Sequence, residues 1–209
     1  MSQTKDTKTL LLKAAMELIW KNSYGAVSVD DICSQAGVRK GSFYHFFSSK
    51  YELAKSALED LWQELQPQLD HIFSPHVPAL ERLRAYAKFS YETQKLESLQ
   101  FGFVVGCPFT TLGSEKRSND EGLAEISWEI LQRFRKYFAI TLRDACEEGA
   151  LDIENYEEAA NEIFLHYLGC NAAARLSGSL EPLENLYERW HIQLKSYVKD
   201  KALKKRAAA

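Results

Sequence analysis

Apolar side chains recur at helical spacing along almost the whole chain. They begin with Leu10, Leu11, Ala14, Ala15, Leu18 and Ile19, which share one stripe of a first helix. Gly25 is placed to end that helix. Ser28-Val-Asp-Asp31 has the form of a capping box and opens a short second helix with Ile32, Cys33 and Ala36 inward. Gly37 supplies its stop. A third short helix is predicted over about Arg39 to Phe46, burying Phe43 and either Phe46 or Phe47.

Ser49-Lys-Tyr-Glu52 starts a long fourth helix whose stripe is Leu53, Ala54, Ala57, Leu58, Leu61, Trp62 and Leu65. The cluster PQLDHIFSPHVP is expected to end it, because proline lacks an amide donor. Further helices fit about Pro78 to Leu96, Pro108 to Arg117, Gly122 to Glu148, Asn155 to Ser177 and Leu180 to Lys199, and the KKRAAA tail is expected to fray. No segment alternates as a strand does. The expected fold is all-α, with an N-terminal three-helix helix-turn-helix domain over 1–50 and a larger C-terminal helical domain over 51–209.

Composition narrows the class. A hydrophobic fraction of 45% in 209 residues excludes disorder. The net charge of -3 hides an asymmetry: residues 1–50 carry seven Lys and Arg against four Asp and Glu, and the remainder is acidic. Cys33, Cys107, Cys146 and Cys170 form no CxxC pattern, and neither an apolar leader nor a stretch of about 18 apolar residues is present. A reduced, cytoplasmic protein with no membrane partner is expected. His71 and His76 are poorly spaced for one helix face, and Glu188 with His191 is a lone Glu-x-x-His, so no metal, cofactor or enzymatic centre is expected.

The informative segment is SVDDICSQAGVRKGSFYHFFSSK: two short helices joined by a tight turn at Gly37. Arg39, Lys40, Ser42, Tyr44 and His45 remain free on the third helix, a face of donors without a carboxylate of its own, and Gly41 removes a side chain where DNA could approach. The C-terminal half alone would also suit a helical enzyme or a protein-interaction bundle. The N-terminal segment argues for DNA.

Residues from about 8 to 55 resemble the DNA-binding domain of the TetR family in the first stripe, Ser28, AGVRKGSFYHFF and Lys50. The resemblance implies a transcriptional regulator, by family default a repressor, released from double-stranded operator DNA by a small molecule or a reactive electrophile. It implies that Arg39, Lys40 and Ser42 face base edges or nearby phosphates, that Tyr44, His45 and Lys50 hold phosphates, and that Ser28 adds a contact to the DNA backbone. Cys33 becomes a small core residue. It further implies a homodimer through the last two helices, with Ile163, Tyr167, Cys170, Ala174, Leu186 and Trp190 at the interface.

The middle helices of such proteins surround a ligand cavity, for which Phe89, Phe103, Phe109, Trp128, Phe134 and Tyr137 are available. VVGCPFTTLGSE, with ARLSGSLEPLENL, resembles the electrophile-sensing branch of the family, typified by the N-ethylmaleimide repressor. Cys107 matches that branch's cysteine, while Pro108 and Arg175 depart from its pattern. With Pro108 as first helical residue, Cys107 falls at the N-cap, where a helix terminus is expected to lower its thiol pKa.

Overall fold

The computed structural model describes residues 2–115 and 122–197, and in them every long element is helical. α1 (Ser2–Asn22), α2 (Val29–Ala36) and α3 (Lys40–Phe46) pack together around Leu11, Ile19, Ile32 and Phe43, with Cys33 buried among them. α4 (Lys50–Ile72) leaves this unit and runs against α1 on one side and α7 on the other. α5 (Ala79–Phe101), α7 (Gly122–Glu147), α8 (Tyr156–Ser177) and α9 (Leu186–Lys195) form the body, and the short α6 (Pro108–Gly113) lies between α7 and α1. One apolar core passes through both parts.

The body's centre is aromatic. Tyr86 of α5 meets Phe134 of α7 at 5.4 Å and Tyr167 of α8 at 5.3 Å, and Phe138 meets Trp190 of α9 edge-on at 5.5 Å. The buried Arg82 donates to Asp144 at 2.6 Å and to the carbonyls of Val77 and Pro75, which fixes the start of α5 on the end of α7. Burial raises the Asp144 pKa, but hydrogen bonds from Arg82 and Arg143 outweigh it and hold the carboxyl below its ordinary range.

α4 carries Pro67 inside the helix and ends at Ile72, within the cluster expected to end it, while later boundaries differ from the sequence expectation. An internal proline costs about 3 kcal/mol, whereas burying the Leu69 and Phe73 side chains beyond it contributes about 1.5–3 kcal/mol each. The expected last helix is broken: Glu181–Leu183 form a single 3-10 turn, and Asn185 takes a left-handed φ of 54° before α9 begins. α5 continues past Leu96 to Phe101 and ends on the left-handed Gly102. α6 ends at Gly113, capped by Ser114, short of the expected Arg117, which lies outside the described residues, as does the KKRAAA tail.

Candidate DNA interface and effector cavity

The helix-turn-helix is built by local rules. The Ser28 hydroxyl accepts from the Asp31 amide at 3.1 Å, and the Asp31 carboxylate accepts from the Ser28 amide at 2.8 Å. This capping box commits Ser28 to starting α2. At the other end Gly37 has φ 64°, its amide donates to the Ser34 carbonyl, and the Val38 amide donates to the Cys33 carbonyl at 2.9 Å. These paired bonds close a Schellman turn, which needs a left-handed residue at Gly37 and aims the chain into α3.

Phe43 and Phe47 anchor α3 in the core, deciding for Phe47 over the partly buried Phe46. Arg39, Gly41, Tyr44 and His45 are exposed and Ser42 is half-buried; Tyr44 is 55% exposed although it is aromatic. Arg39 is the N-cap residue of α3 and makes no ion pair among the described residues. A Cβ at Gly41 would meet nothing within 4 Å, so the helix surface is open there.

Lys40 and Lys50 are placed differently from expectation. The Lys40 ammonium pairs with Asp30 of α2 at 2.8 Å, so a carboxylate borders the face. Lys50 turns inward, donating to the carbonyls of Tyr24 at 2.7 Å and Val27 at 2.8 Å, with its ammonium 4.1 Å from the Tyr24 ring centroid. Its ion is held by the α1–α2 loop, a structural role that residue spacing does not reveal.

A cavity of about 340 Å³ opens between α4, α5 and α6, lined by the Trp20, Tyr86, Phe89, Phe109, Phe134 and Tyr167 rings and by Cys107. Phe89, Phe109 and Phe134 thus line it as expected. Phe103, Trp128 and Tyr137 do not: Phe103 lies on the surface under Arg175, Trp128 is 58% exposed on α7, and Tyr137 bonds Asp70 at a separate groove. An aromatic stripe does not show which side of a helix faces a void.

Cys107 is the N-cap residue of α6, as the sequence indicates. The expected low thiol pKa is reversed. Burial pushes the thiol above its ordinary value, and the hydrogen bonds from Thr110 and Phe109 only partly offset it. The preceding segment is clamped on several sides. The Gln94 carboxamide brackets the Gly106 peptide at 2.9 and 3.2 Å, and the Val105 carbonyl accepts from both the Trp20 indole at 3.2 Å and the Arg175 guanidinium. At Gly106, with φ 70°, an added Cβ would lie only 3.2 Å from that of Arg175.

Two residues absent from the sequence expectations complete a connection to the DNA-binding unit. Gln94 is one. Glu115, just past α6, is the other: its carboxylate accepts from the Tyr24 amide at 2.8 and 2.9 Å and from that of Gly25 at 3.3 Å. The loop whose amides Glu115 holds is the loop whose carbonyls Lys50 holds. A glutamate that follows a short helix carries no sequence signal of such a reach.

The six residues expected at a dimer interface are all in the wrong place for one. Ile163, Tyr167, Cys170, Ala174, Leu186 and Trp190 are buried within the chain's own core. Their stripes pack α8 and α9 onto the body. The opposite face of α8 carries Leu165, Gly169, Ala172, Ala173 and Leu176 exposed, and α9 exposes Ile192 at 68%.

A capped helix-turn-helix seated on a helical body defines a DNA-binding regulator. Residues 11–57 match the family described as "Bacterial regulatory proteins, tetR family", and residues 79–190 match "Tetracyclin repressor-like, C-terminal domain". The chain therefore belongs to the TetR family and is a DNA-binding transcriptional regulator. It is 27% identical over 177 residues to the transcriptional regulator AcuR of Cereibacter sphaeroides, covering 84% of this chain and 79% of AcuR. It is 26% identical over 189 residues to the HTH-type transcriptional repressor NemR of Escherichia coli, covering 86% and 89%. The solved structure of reduced E. coli NemR superimposes with a TM-score of 0.77 at 24% identity, covering 93% of this chain and 98% of that one. No helix among the described residues is long and apolar enough to cross a membrane.

Proposed function

We propose that the protein is a cytoplasmic, homodimeric repressor, with a DNA-binding head over 1–50 and a sensing and dimerisation body over 51–209. In this reading α3 enters the major groove of a two-fold operator, and a small molecule in the cavity releases it. The observation that carries the DNA-binding part is the exposed donor set Arg39, Tyr44 and His45, held outward by Phe43 and Phe47 in the core. Arg39, at the start of α3, is the base-reading candidate, while Tyr44 and His45 suit phosphate oxygens. Lys50 acts on DNA only through the loop it supports.

The release step is supported by the cavity wall itself. Cys107 lines the cavity, and its neighbours Val105 and Gly106 are bonded to Trp20, Gln94 and Arg175. A ligand that displaces this segment also pulls on α6 and on the Glu115 carboxylate that holds the head's loop. An electrophile entering the same cavity would meet Cys107, so covalent and non-covalent effectors share one route.

Titration of the DNA flanking its own gene, at several salt concentrations, tests the assignment. Each phosphate contact contributes about -0.9 to the slope of log affinity against log salt. An Arg39→Ala, Tyr44→Ala, His45→Ala variant that keeps its helical signal should lose binding by about two orders of magnitude or more and flatten that slope. Undiminished binding by the folded triple variant would sink the interface.

A further inference from the structure

The lining of the cavity has a pronounced sign. Two carboxylates, Glu64 of α4 and Glu97 of α5, reach it, and among the described residues no Lys, Arg or His does. The nearby Arg175 is turned away onto the carbonyls of Trp20 and Val105, and Arg133 of α7 is paired with Glu59 at 2.8 Å. We infer that this cavity takes a small organic cation, a protonated amine or quaternary ammonium on a compact apolar body. The inference rests on the cavity being the effector site and specifies which chemistry it admits.

Two independent features favour a cation over a neutral or anionic guest. Aromatic ring faces carry partial negative charge and attract ammonium groups, and six rings line this space. Glu97 is half-buried and makes no ion pair among the described residues, so burial pushes its carboxyl up. A bound cation would supply the missing countercharge. In addition, the Ser90 hydroxyl lines the cavity beside the Tyr167 phenol and offers an oxygen acceptor to the N–H of a protonated amine.

The placement is a consequence of helical spacing. Tyr86, Ser90, Thr93 and Glu97 follow one another at four, three and four residues along α5, so ring, hydroxyls and carboxylate descend one face toward the opening. Glu64 stands exposed at the mouth and adds to the attraction there. A volume of about 340 Å³ is at the small end for ligand cavities and suits a single ring with a short substituent. An anion entering would be desolvated against rings and two carboxylates with no compensating charge.

The test titrates the full-length protein with phenyltrimethylammonium, its neutral isostere tert-butylbenzene, and benzoate, followed by calorimetry and by the change in tryptophan fluorescence that is lost in Trp20→Phe. Phenyltrimethylammonium should bind about tenfold or more tighter than tert-butylbenzene, and benzoate should not bind measurably. Glu97→Gln should remove about tenfold of the cation affinity while leaving tert-butylbenzene unchanged, and Glu64→Gln should show a smaller loss of the same kind. Equal affinity for the neutral isostere, preference for benzoate, or an unaltered cation preference in Glu97→Gln would overturn the inference. If tert-butylbenzene binds without that preference and Thr93→Trp blocks it by filling the space, cation selectivity fails but the effector cavity stands. If none of the three compounds binds, the effector-cavity reading fails as well.

Discussion

Cys107 shows how two local rules compete at a single residue. A position at the start of a helix favours the thiolate, because free amides point at the sulfur, but α6 is only six residues long and the thiol is buried. Burial wins, and the pKa lies above the ordinary value of about 9. The sign of the consequence is fixed: the thiolate fraction at neutral pH is smaller than for a free cysteine and grows as pH rises through the elevated pKa. N-ethylmaleimide should therefore modify Cys107 in the native protein more slowly than free cysteine near pH 7, accelerating as pH rises toward the elevated pKa. Mass spectrometry of the peptide carrying Cys107 measures this directly; rapid modification, independent of pH, would mean a thiolate and restore the low-pKa reading. Loss of maleimide-induced DNA release in Cys107→Ser, with release intact in the native chain, would then assign covalent sensing to this residue.

At the scale of elements, α6 is the narrow connection between cavity and head. Gly113 at its end sits so close to α7 that an added Cβ would lie 2.7 Å from that of Ser127, so the helix has no slack on that side. Its other attachment is Glu115 on the Tyr24 and Gly25 amides. Hydrogen bonds to a charged acceptor contribute about 1.5–3 kcal/mol, so Glu115→Ala should raise hydrogen exchange at those two amides by about tenfold or more while exchange in the α7 core stays unchanged. The same variant should weaken the effector's influence on DNA affinity. Unaltered exchange at Tyr24 and Gly25 would show that α6 does not restrain the loop.

For the whole molecule the open question of assembly becomes a question of which helical face is left uncovered. Ile163, Tyr167, Cys170, Ala174, Leu186 and Trp190 pack into the chain's own core and offer little surface to a partner. What remains outward on α8 is a strip of Gly169, Ala172 and Ala173 between Leu165 and Leu176, the last 88% exposed, beside Ile192 of α9. Small residues allow close helix approach and the flanking leucines supply area, as a two-fold bundle requires. Ala172→Glu or Leu176→Glu should give folded monomers by light scattering with unchanged circular dichroism, and should weaken operator binding because two half-sites are then held independently. Dimers that persist in both variants would put the interface elsewhere.

What the sequence determined by itself is what short-range chemistry controls. The capping box at Ser28, the tight turn at Gly37 and the 3.6-residue stripes each involve neighbours within about four or five residues, and all of them stand in the structure. The all-helical fold and the donor-bearing α3 followed from them. What only tertiary structure decided is every matter of which partner lies across a gap. Lys50 meets two loop carbonyls, Glu115 meets amides 90 residues away, and Trp128 faces out while Phe134, on the same helix, faces the cavity. An apolar stripe states that a face is buried but not against what, so the α8 and α9 stripes gave the chain's own core instead of a partner. Pro67 marks the same divide: the cluster it opens ends the helix as expected, but the turn at which it ends, Ile72, follows from the burial of Leu69 and Phe73, which offsets one missing amide.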